Sequence, residues 1–537
     1  MVFTKLKKPD PDIRFLGEVA DKNPSTIWVE PTNRCNARCV HCRHGYETFG
    51  QDMAPDIYRK VREALLDDVK EAYLLGYGEP LLAPIFNEMF DECRRRGIRV
   101  MTVTNGILLN SEEAVAKVVR EGALLVVSID GARAETFERI RRGVKWTRMI
   151  ETLDRIKRAA ETGKRVARRG PPESQEAQEA QGAAGHFTLR FNFVPMKQNI
   201  AELPDLVRLA AKYGASEICV LPLAGDEHNE NLRGQSLHDS PELVSPAFLE
   251  ALSLAARLNI HLMTPVSFRE LILDGPERGR GLRGKALRAL RRFRLAGMYF
   301  RRRGLAQTLG RIAYGSGPRA KSGAAFCALP WQASYFAADG KVFPCCVMGE
   351  VLGDLSGQEW RDIWNGPLYR NLRRTIHSWN PSRVCRLCAL PPGINGGDER
   401  RYEKFFSRFR REVIPLDAAG VHFGEGFYGL ERGADGSPHH HWMGRRGTLR
   451  LPMKRGARFL RLLISPRFPI AETIGGLCRI NGGPPEPFDN TCPELTFPLD
   501  HARGNGIEAR LEMEKSFRVE GDPRDLAMAI MAVEYLL

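Results

Sequence analysis

Between Ser25 and about Leu223 short apolar runs alternate with longer amphipathic stretches, and no other feature restricts the possible folds of this chain so strongly. The runs STIWVEP, EAYLLG, IRVMTVT, LLVVSI, HFTLRFNFVP and EICVLPL read as strands. The stretches between them carry apolar residues at helical spacing, at Asp56 to Leu66, Pro84 to Arg96, Glu112 to Glu121 and Leu203 to Tyr213. Repeated strand-helix units make parallel sheets covered by helices, because each parallel connection must cross over the sheet. The expectation is therefore an α/β fold, a partial (β/α)6 TIM-like barrel over residues 25–267, closed by a further helix and short strand between Pro241 and Thr264.

The rest of the chain is divided by composition. Residues 1–24 form an N-terminal extension, and the polar repetitive stretch 170–185 reads as a flexible insertion within the barrel. A basic insertion spans 268–322, a compact Cys-rich segment 323–406, and a third region 407–537. In that last region RFLRLLIS, LTFPL and IEARLEM are separated by Gly, Pro and Asn clusters, the pattern of an all-β, sandwich-like domain. His439, His440 and His441 read there as an exposed loop rather than a metal site.

A length of 537 residues suits two or three domains. No apolar run reaches the roughly 18 residues of a membrane-spanning helix, and the first residues lack the apolar core of a secretory signal, so the expected location is the cytoplasm. The 12 cysteines fall mainly into tight local groups, which in a large cytosolic chain indicates metal rather than disulfides. Cys93, Cys219, Cys478 and Cys492 stand apart and read as buried thiols.

The first group lies in EPTNRCNARCVHCRHG, directly after the first expected strand. Three thiolates, Cys35, Cys39 and Cys42, can ligate three irons of a cubane and leave the fourth without a protein ligand. Structural zinc prefers four protein ligands, and only His41 or His44 is near enough in sequence to complete such a set. Further polar residues recur at strand ends: Gly76-Tyr77-Gly78-Glu79-Pro80, Thr104-Asn105-Gly106, Ser128-Ile129-Asp130-Gly131 and Asn192. In parallel barrels such ends share one mouth.

The C-x3-C-x2-C spacing, with His41 before the last cysteine, resembles the signature of the radical S-adenosylmethionine superfamily, and Gly76 to Pro80 resembles its Gly-Gly-Glu-Pro motif with Tyr77 in place of a glycine. The resemblance implies a catalytic 4Fe-4S cluster on Cys35, Cys39 and Cys42, whose open iron is chelated by S-adenosyl-L-methionine. It further implies that His41 packs near the cofactor, that Gly78 allows close backbone approach while Glu79 offers acceptors to its ammonium group, that Ser128 and Asp130 meet its ribose or methionyl end with Asn192 joining them, and that Asn105 shares the same mouth. Reduction of the cofactor would yield a 5′-deoxyadenosyl radical that takes hydrogen from a substrate, with an electron donor such as flavodoxin or ferredoxin as partner.

In the second group Cys327 and Cys345 flank a hairpin expected to turn at Asp339-Gly340, and Cys385 and Cys388 follow in VCRLC. Four thiolates suit structural zinc or a 4Fe-4S cluster about equally. The spacing from Cys327 through Gly340 to Cys345, with GDLSGQEWRDIWN and the later Cys-x2-Cys, resembles the SPASM domain in its shortened twitch form, which implies an auxiliary 4Fe-4S cluster on Cys327, Cys345, Cys385 and Cys388. Such a cluster, having no open iron, suits electron transfer, so the expected reaction is oxidation of a small polar or sugar-like molecule. A peptide-modifying maturase and a non-catalytic metal-cysteine scaffold for a polyanion are the alternatives.

The formal net charge is +15, and residues 268–322 contribute 15 Lys plus Arg against 3 Asp plus Glu. Leu282, Leu287, Leu290, Phe293 and Met298 interleave with those arginines at helical spacing, which suits either an anionic membrane surface or packing on the barrel with a solvated charged face. Peripheral membrane contact is thus one expectation for this insertion; nucleic acid is not an expected partner.

Overall fold

The computed structural model describes residues 17–45, 50–120, 122–168, 187–223, 229–237, 240–264, 268, 327–346, 349–376, 378–382, 385, 409–432, 438–465, 473–500, 502, 505–518 and 522–537. The expectations for the insertion 170–185, for all of the basic insertion except Phe268, and for Cys388 lie outside these residues. The chain divides into two compact units, one built mainly from Lys22–Ala313 and Gln332–Trp360, the other mainly from Arg361–Leu537.

The first unit is organised by parallel strands. They are β1 (Thr26–Val29), β2 (Glu71–Leu74), β3 (Arg99–Thr104), β4 (Leu124–Ser128), β5 (Thr188–Phe193), β6 (Glu217–Val220) and β7 (His261–Met263). Each pairs in parallel with the next in sequence. Runs such as TIWV in β1 and LLVVS in β4 are almost wholly buried, as expected of strands covered on both faces. The six expected strands are all present, and β7 is the short closing strand. Helices α1 (Pro55–Leu65), α2 (Phe86–Arg95) and α3 (Glu112–Arg120) follow β1, β2 and β3. The β4 to β5 connection holds α4 (Ala134–Ile140) and α5 (Trp146–Arg168), and α6 (Leu203–Tyr213) and α7 (Pro241–Leu258) follow β5 and β6. Gly214, with φ 75°, ends α6 in the left-handed conformation that glycine adopts without steric cost.

The sheet does not stop at β1. Strand β8 (Ala333–Phe336) pairs in parallel with β1, and β9 (Lys341–Phe343) returns antiparallel through the turn at Asp339-Gly340, where Gly340 has φ 86°. A short β10 (Gly353–Asp354) completes a ten-stranded sheet in the order β10-β9-β8-β1-β2-β3-β4-β5-β6-β7. The hairpin of the second cysteine group is therefore a continuation of the barrel's own sheet.

The second unit holds a six-stranded and a five-stranded antiparallel sheet, joined by one core that includes Leu460, Leu462, Leu511, Phe488, Phe497 and Ile530. A β-sandwich results. The helix Pro367–Thr375 belongs to this unit: Arg374 donates to Glu514, Thr375 is buried, and a Cβ at Gly475 would lie 2.2 Å from Arg374. The three consecutive histidines are not in a loop. They lie on the strand Pro438–Met443, where alternation buries His441 against Phe423, ring centroids 3.9 Å apart, while His439 stays exposed. All four isolated cysteines, Cys93, Cys219, Cys478 and Cys492, are buried.

A three-cysteine loop at the strand ends

The loop after β1 is held by its neighbours rather than by internal structure. Arg34 forks onto Asp52, with Nε to Oδ1 at 3.0 Å and Nη2 to Oδ2 at 2.6 Å, and Asn33 and Gln51 exchange two hydrogen bonds. Farther along, the N–H groups of Arg38 and Val40 donate to the carbonyls of Arg142 and Ile140, at the C-terminal end of α4. These contacts fix the backbone on both sides of Cys39, and Cys42 N–H donates back to Cys39 O at 3.1 Å.

Gly78 brings the loop after β2 against the cysteine loop. A Cβ there would lie 2.4 Å from Arg34 O and 2.5 Å from Thr32 O, both backbone atoms, so no other residue fits. The next residue, Glu79, donates its N–H to Arg34 O at 2.8 Å. Its carboxylate accepts from Thr104 Oγ1 at 2.6 Å and from Asn105 N–H at 2.7 Å. Asn105 in turn donates to Asn36 Oδ1 at 2.7 Å, and the same nitrogen lies 3.9 Å from Cys35 Sγ. The ends of β1, β2 and β3 are thus tied into one network around Cys35. Burial pushes the Glu79 carboxyl up to about 7, opposed by the hydrogen bonds from Asn105 and Thr104.

A second network surrounds Cys39. Asp130, past the end of β4, accepts from Val194 N–H at 2.7 Å on one oxygen and from Arg141 Nε at 2.7 Å on the other. Arg141 Nη1 reaches Cys39 Sγ at 3.8 Å, and His41 Nε2 lies 3.6 Å from Asp130. Asn199 donates to Asp130 O at 3.0 Å. Burial pushes the Cys39 thiol up to about 12, Arg141 opposes the rise, and the charges of Asp130, Cys42 and Cys35 add to it. The three thiols therefore sit within electrostatic reach of one another. Burial also holds His41 below its usual range, a shift that the charge of Asp130 opposes.

Of the residues singled out from the sequence, Cys35, Cys39, Cys42, His41, Gly78, Glu79, Asn105 and Asp130 come together in these two networks. Ser128 and Asn192 face each other in the β4–β5 register and are both buried. Of the second cysteine group, Cys327 and Cys345 are buried and Cys385 is half-buried. Glu30, Arg141 and Asn199 were not anticipated. Their only sequence signal is polarity next to an apolar run, which many loop residues share.

Three features suit a cluster and its ligand. Among the described residues, His41 Nδ1 and Asn192 Oδ1 are buried polar atoms with no hydrogen-bond partner, the condition of groups awaiting one. Gly78 lets the loop that carries Glu79 pack backbone to backbone against the cysteine loop. The three thiols share the mouth with one guanidinium, which offsets thiolate charge. Among the described residues no three His, Cys, Asp or Glu side chains converge tightly enough to hold a single ion. Thiolates that each take a different iron of a cubane need not do so.

The Radical SAM superfamily profile matches residues 29–166, and that of an iron-sulfur cluster-binding domain, SPASM, matches residues 327–389. The chain is 27% identical over 382 residues to the AdoMet-dependent heme synthase of Methanosarcina barkeri, covering 68% of this chain and 90% of that protein. It is 27% identical over 226 residues to the tungsten-containing aldehyde ferredoxin oxidoreductase cofactor-modifying protein of Pyrococcus furiosus, covering 40% of this chain and 57% of the relative. The mycofactocin maturase of Mycobacterium ulcerans is 23% identical over 197 residues, which is 36% of this chain and 46% of its own. The chain thus spans about half the length of these last two relatives. S-adenosylmethionine and a 4Fe-4S cluster go with the first matched domain, and auxiliary iron–sulfur binding with the second. Motif order, parallel sheet and profile matches agree: the chain is a member of the radical SAM superfamily that carries a SPASM iron–sulfur domain.

Proposed function

We propose that the chain oxidises a small precursor of a cofactor by removing a hydrogen atom from carbon at the mouth of the β1 to β5 strand ends. The observation that carries this reading is the joint attachment of Glu79, Asn105, Asp130 and Arg141 to the loop bearing Cys35, Cys39 and Cys42. When bound, the cluster and S-adenosylmethionine supply one-electron reduction and hydrogen-atom abstraction.

The protein's own groups have separate tasks. Cys35, Cys39 and Cys42 hold the cluster, and Arg141 keeps the charge near Cys39 tolerable in a buried site. Glu79, already held by Thr104 and Asn105, presents a fixed acceptor for the ammonium of S-adenosylmethionine. Gly78 keeps Glu79 close against the cysteine loop, while His41, Ser128 and Asn192 line the adjoining wall. Asp130, which accepts from Arg141 and lies 3.6 Å from His41, orients both side chains. Cys327, Cys345, Cys385 and Cys388 would hold the auxiliary cluster, which would supply an electron acceptor. A flavodoxin or ferredoxin serves as the external donor.

The substrate class follows the relatives named for heme synthesis and cofactor modification. A carbohydrate substrate gains no support from these relatives. The test is anaerobic: reconstituted protein with reductant and S-adenosylmethionine yields 5′-deoxyadenosine and methionine in equal amounts, and Cys35→Ala abolishes both. Wild-type protein that carries iron at this loop but never cleaves S-adenosylmethionine overturns the reading.

A further inference from the structure

Glu30 follows β1 directly and is buried. Its two oxygens serve two different parts of the chain. Oε1 accepts the N–H of Tyr77 at 2.7 Å, and Oε2 accepts the N–H of Ala338 at 3.1 Å. Tyr77 belongs to the loop that presents Gly78 and Glu79, whereas Ala338 lies in the turn between β8 and β9, on the hairpin that leads to Cys345. The fit is tight: a Cβ on Gly76 would lie 2.2 Å from Glu30 Cγ and Oε1. The backbone joins in, with Glu30 N–H donating to Phe336 O at 2.9 Å.

A buried carboxylate is costly unless its oxygens are hydrogen-bonded, and an apolar side chain would space the strands without that cost. What a carboxylate adds is a rigid two-ended acceptor. One end is two residues from Glu79, whose own N–H is held by Arg34 next to Cys35. The other end holds the first central residue of the hairpin turn, since Gly340 N–H closes that turn on Ala337 O at 3.0 Å. A second tie runs in parallel, from Gln51 Nε2 to Ala338 O at 3.3 Å.

We propose that Glu30 is a positioning residue that couples the auxiliary-domain hairpin to the Glu79 loop, so that a change made at the hairpin turn is felt in the binding of S-adenosylmethionine. The proposal rests on the reading of Glu79 as a contact to that cofactor. It gives the continuity of the β8–β9 hairpin with the barrel sheet a functional consequence, because the two iron–sulfur regions then share one carboxylate.

Two substitutions separate the ends of the bridge. Ala338→Pro removes the N–H donated to Glu30 at a turn position that accepts proline, and Ala338→Gly keeps that N–H as the control. Glu30→Gln replaces one acceptor oxygen with a donor. Anaerobic, fully loaded proteins are compared by iron content, by titration of the reduced first cluster's electron paramagnetic resonance signal with S-adenosylmethionine, and by KM and kcat for 5′-deoxyadenosine formation. Glu30→Gln and Ala338→Pro are expected to keep wild-type iron and to raise both KM and the half-saturating concentration about tenfold, with kcat changed less than about threefold. Ala338→Gly behaves as wild type.

An Ala338→Pro protein with wild-type S-adenosylmethionine binding overturns the coupling, as does loss of auxiliary iron with binding unaltered. If Ala338→Pro does not fold, Glu30→Asp, too short to span both donors, must reproduce the tenfold effect, and its failure to do so overturns the coupling equally. Absence of cleavage in wild-type protein is a separate result that falls on the proposed function.

Discussion

Arg141 lies between Asp130 and Cys39, with Nε 2.7 Å from the carboxylate and Nη1 3.8 Å from the sulfur. A cation this close to a cluster thiolate stabilises the more reduced, more negative state. Arg141→Met is therefore expected to lower the midpoint potential of the first cluster by on the order of 50 mV, read by potentiometric titration of its paramagnetic signal. An unchanged potential would place Arg141 outside the cluster's field. Asp130→Asn acts differently, because it leaves a buried guanidinium without its carboxylate. It is expected to cost about 3–5 kcal/mol of stability, measurable as a fall in the unfolding midpoint.

Glu79 gives a pH dependence with a definite sign. Burial raises its carboxyl to about 7 from an ordinary value of 4.5, so in the cofactor-free protein the fold favours the protonated form. The stability this contributes is present below pH 4.5 and is lost as pH rises through 7, amounting to about 3 kcal/mol. Glu79→Gln should flatten this loss between pH 5 and pH 8 in thermal melts. Binding of S-adenosylmethionine runs the other way, because its ammonium needs the ionised carboxylate. Affinity should rise with pH through 7 in wild type and lose that rise in Glu79→Gln; a wild-type affinity flat across this range would remove Glu79 from the cofactor contact.

Gly78 and Gly97 offer a contrast between contact and conformation. A Cβ at Gly78 meets two backbone carbonyl oxygens that cannot move without dragging the cysteine loop. Gly97, with φ 69°, meets nothing within 4 Å. Gly78→Ala is expected to cost roughly 1–3 kcal/mol and to reduce iron incorporation sharply, whereas Gly97→Ala costs about 1 kcal/mol through its left-handed backbone and leaves iron content unchanged. Iron and sulfide analysis after anaerobic reconstitution decides the comparison. Equal iron in the two variants would show that the Gly78 contact is not needed for cluster assembly.

The parts of this site that were legible in the sequence are those whose meaning is local. Cys35, Cys39 and Cys42 declare themselves by spacing, and Glu79, Asn105 and Asp130 by standing where apolar runs end. Strand ends of a parallel sheet share one face, so order along the chain was enough to bring these residues together. Glu30 could not be found this way, because its partners are 47 and 308 positions away. Arg141 was hidden among many arginines, and only burial beside Asp130 distinguishes it. The three histidines misled for a related reason: identical polar residues carry no alternation, so the strand Pro438–Met443 left no periodic trace. The sandwich itself was legible from its runs and breaks, whereas the extension of the barrel sheet by β8 depends on a pairing with β1 that no local pattern encodes.

The far end of the sheet provides a control that separates stability from chemistry. Arg190 on β5 is almost fully buried, and its guanidinium is held by Glu217 at the start of β6, with Nε to Oε2 at 2.7 Å. His261, at the start of β7, lies 3.7 Å from the same carboxylate. Glu217 is itself buried in part, which raises its carboxyl, but His261 and Arg190 overcome this and hold it down at about 2. A carboxylate with a depressed value contributes stability above its ordinary range, and that stability is lost as pH falls from 4.5 through 2. Because a quarter of the Glu217 side chain is exposed, the gain from ionisation alone is expected to be about 1–2 kcal/mol. Removing the partner is more costly, since Glu217→Gln leaves Arg190 charged and buried, and roughly 3 kcal/mol should be lost at neutral pH. The double variant Arg190→Met/Glu217→Gln should recover most of that loss. Because Arg190 and Glu217 sit at the opposite strand ends from Cys35, all these variants should retain wild-type iron content and KM for S-adenosylmethionine under conditions where they are folded. A changed KM in the folded double variant would mean that the two ends of the sheet are not independent.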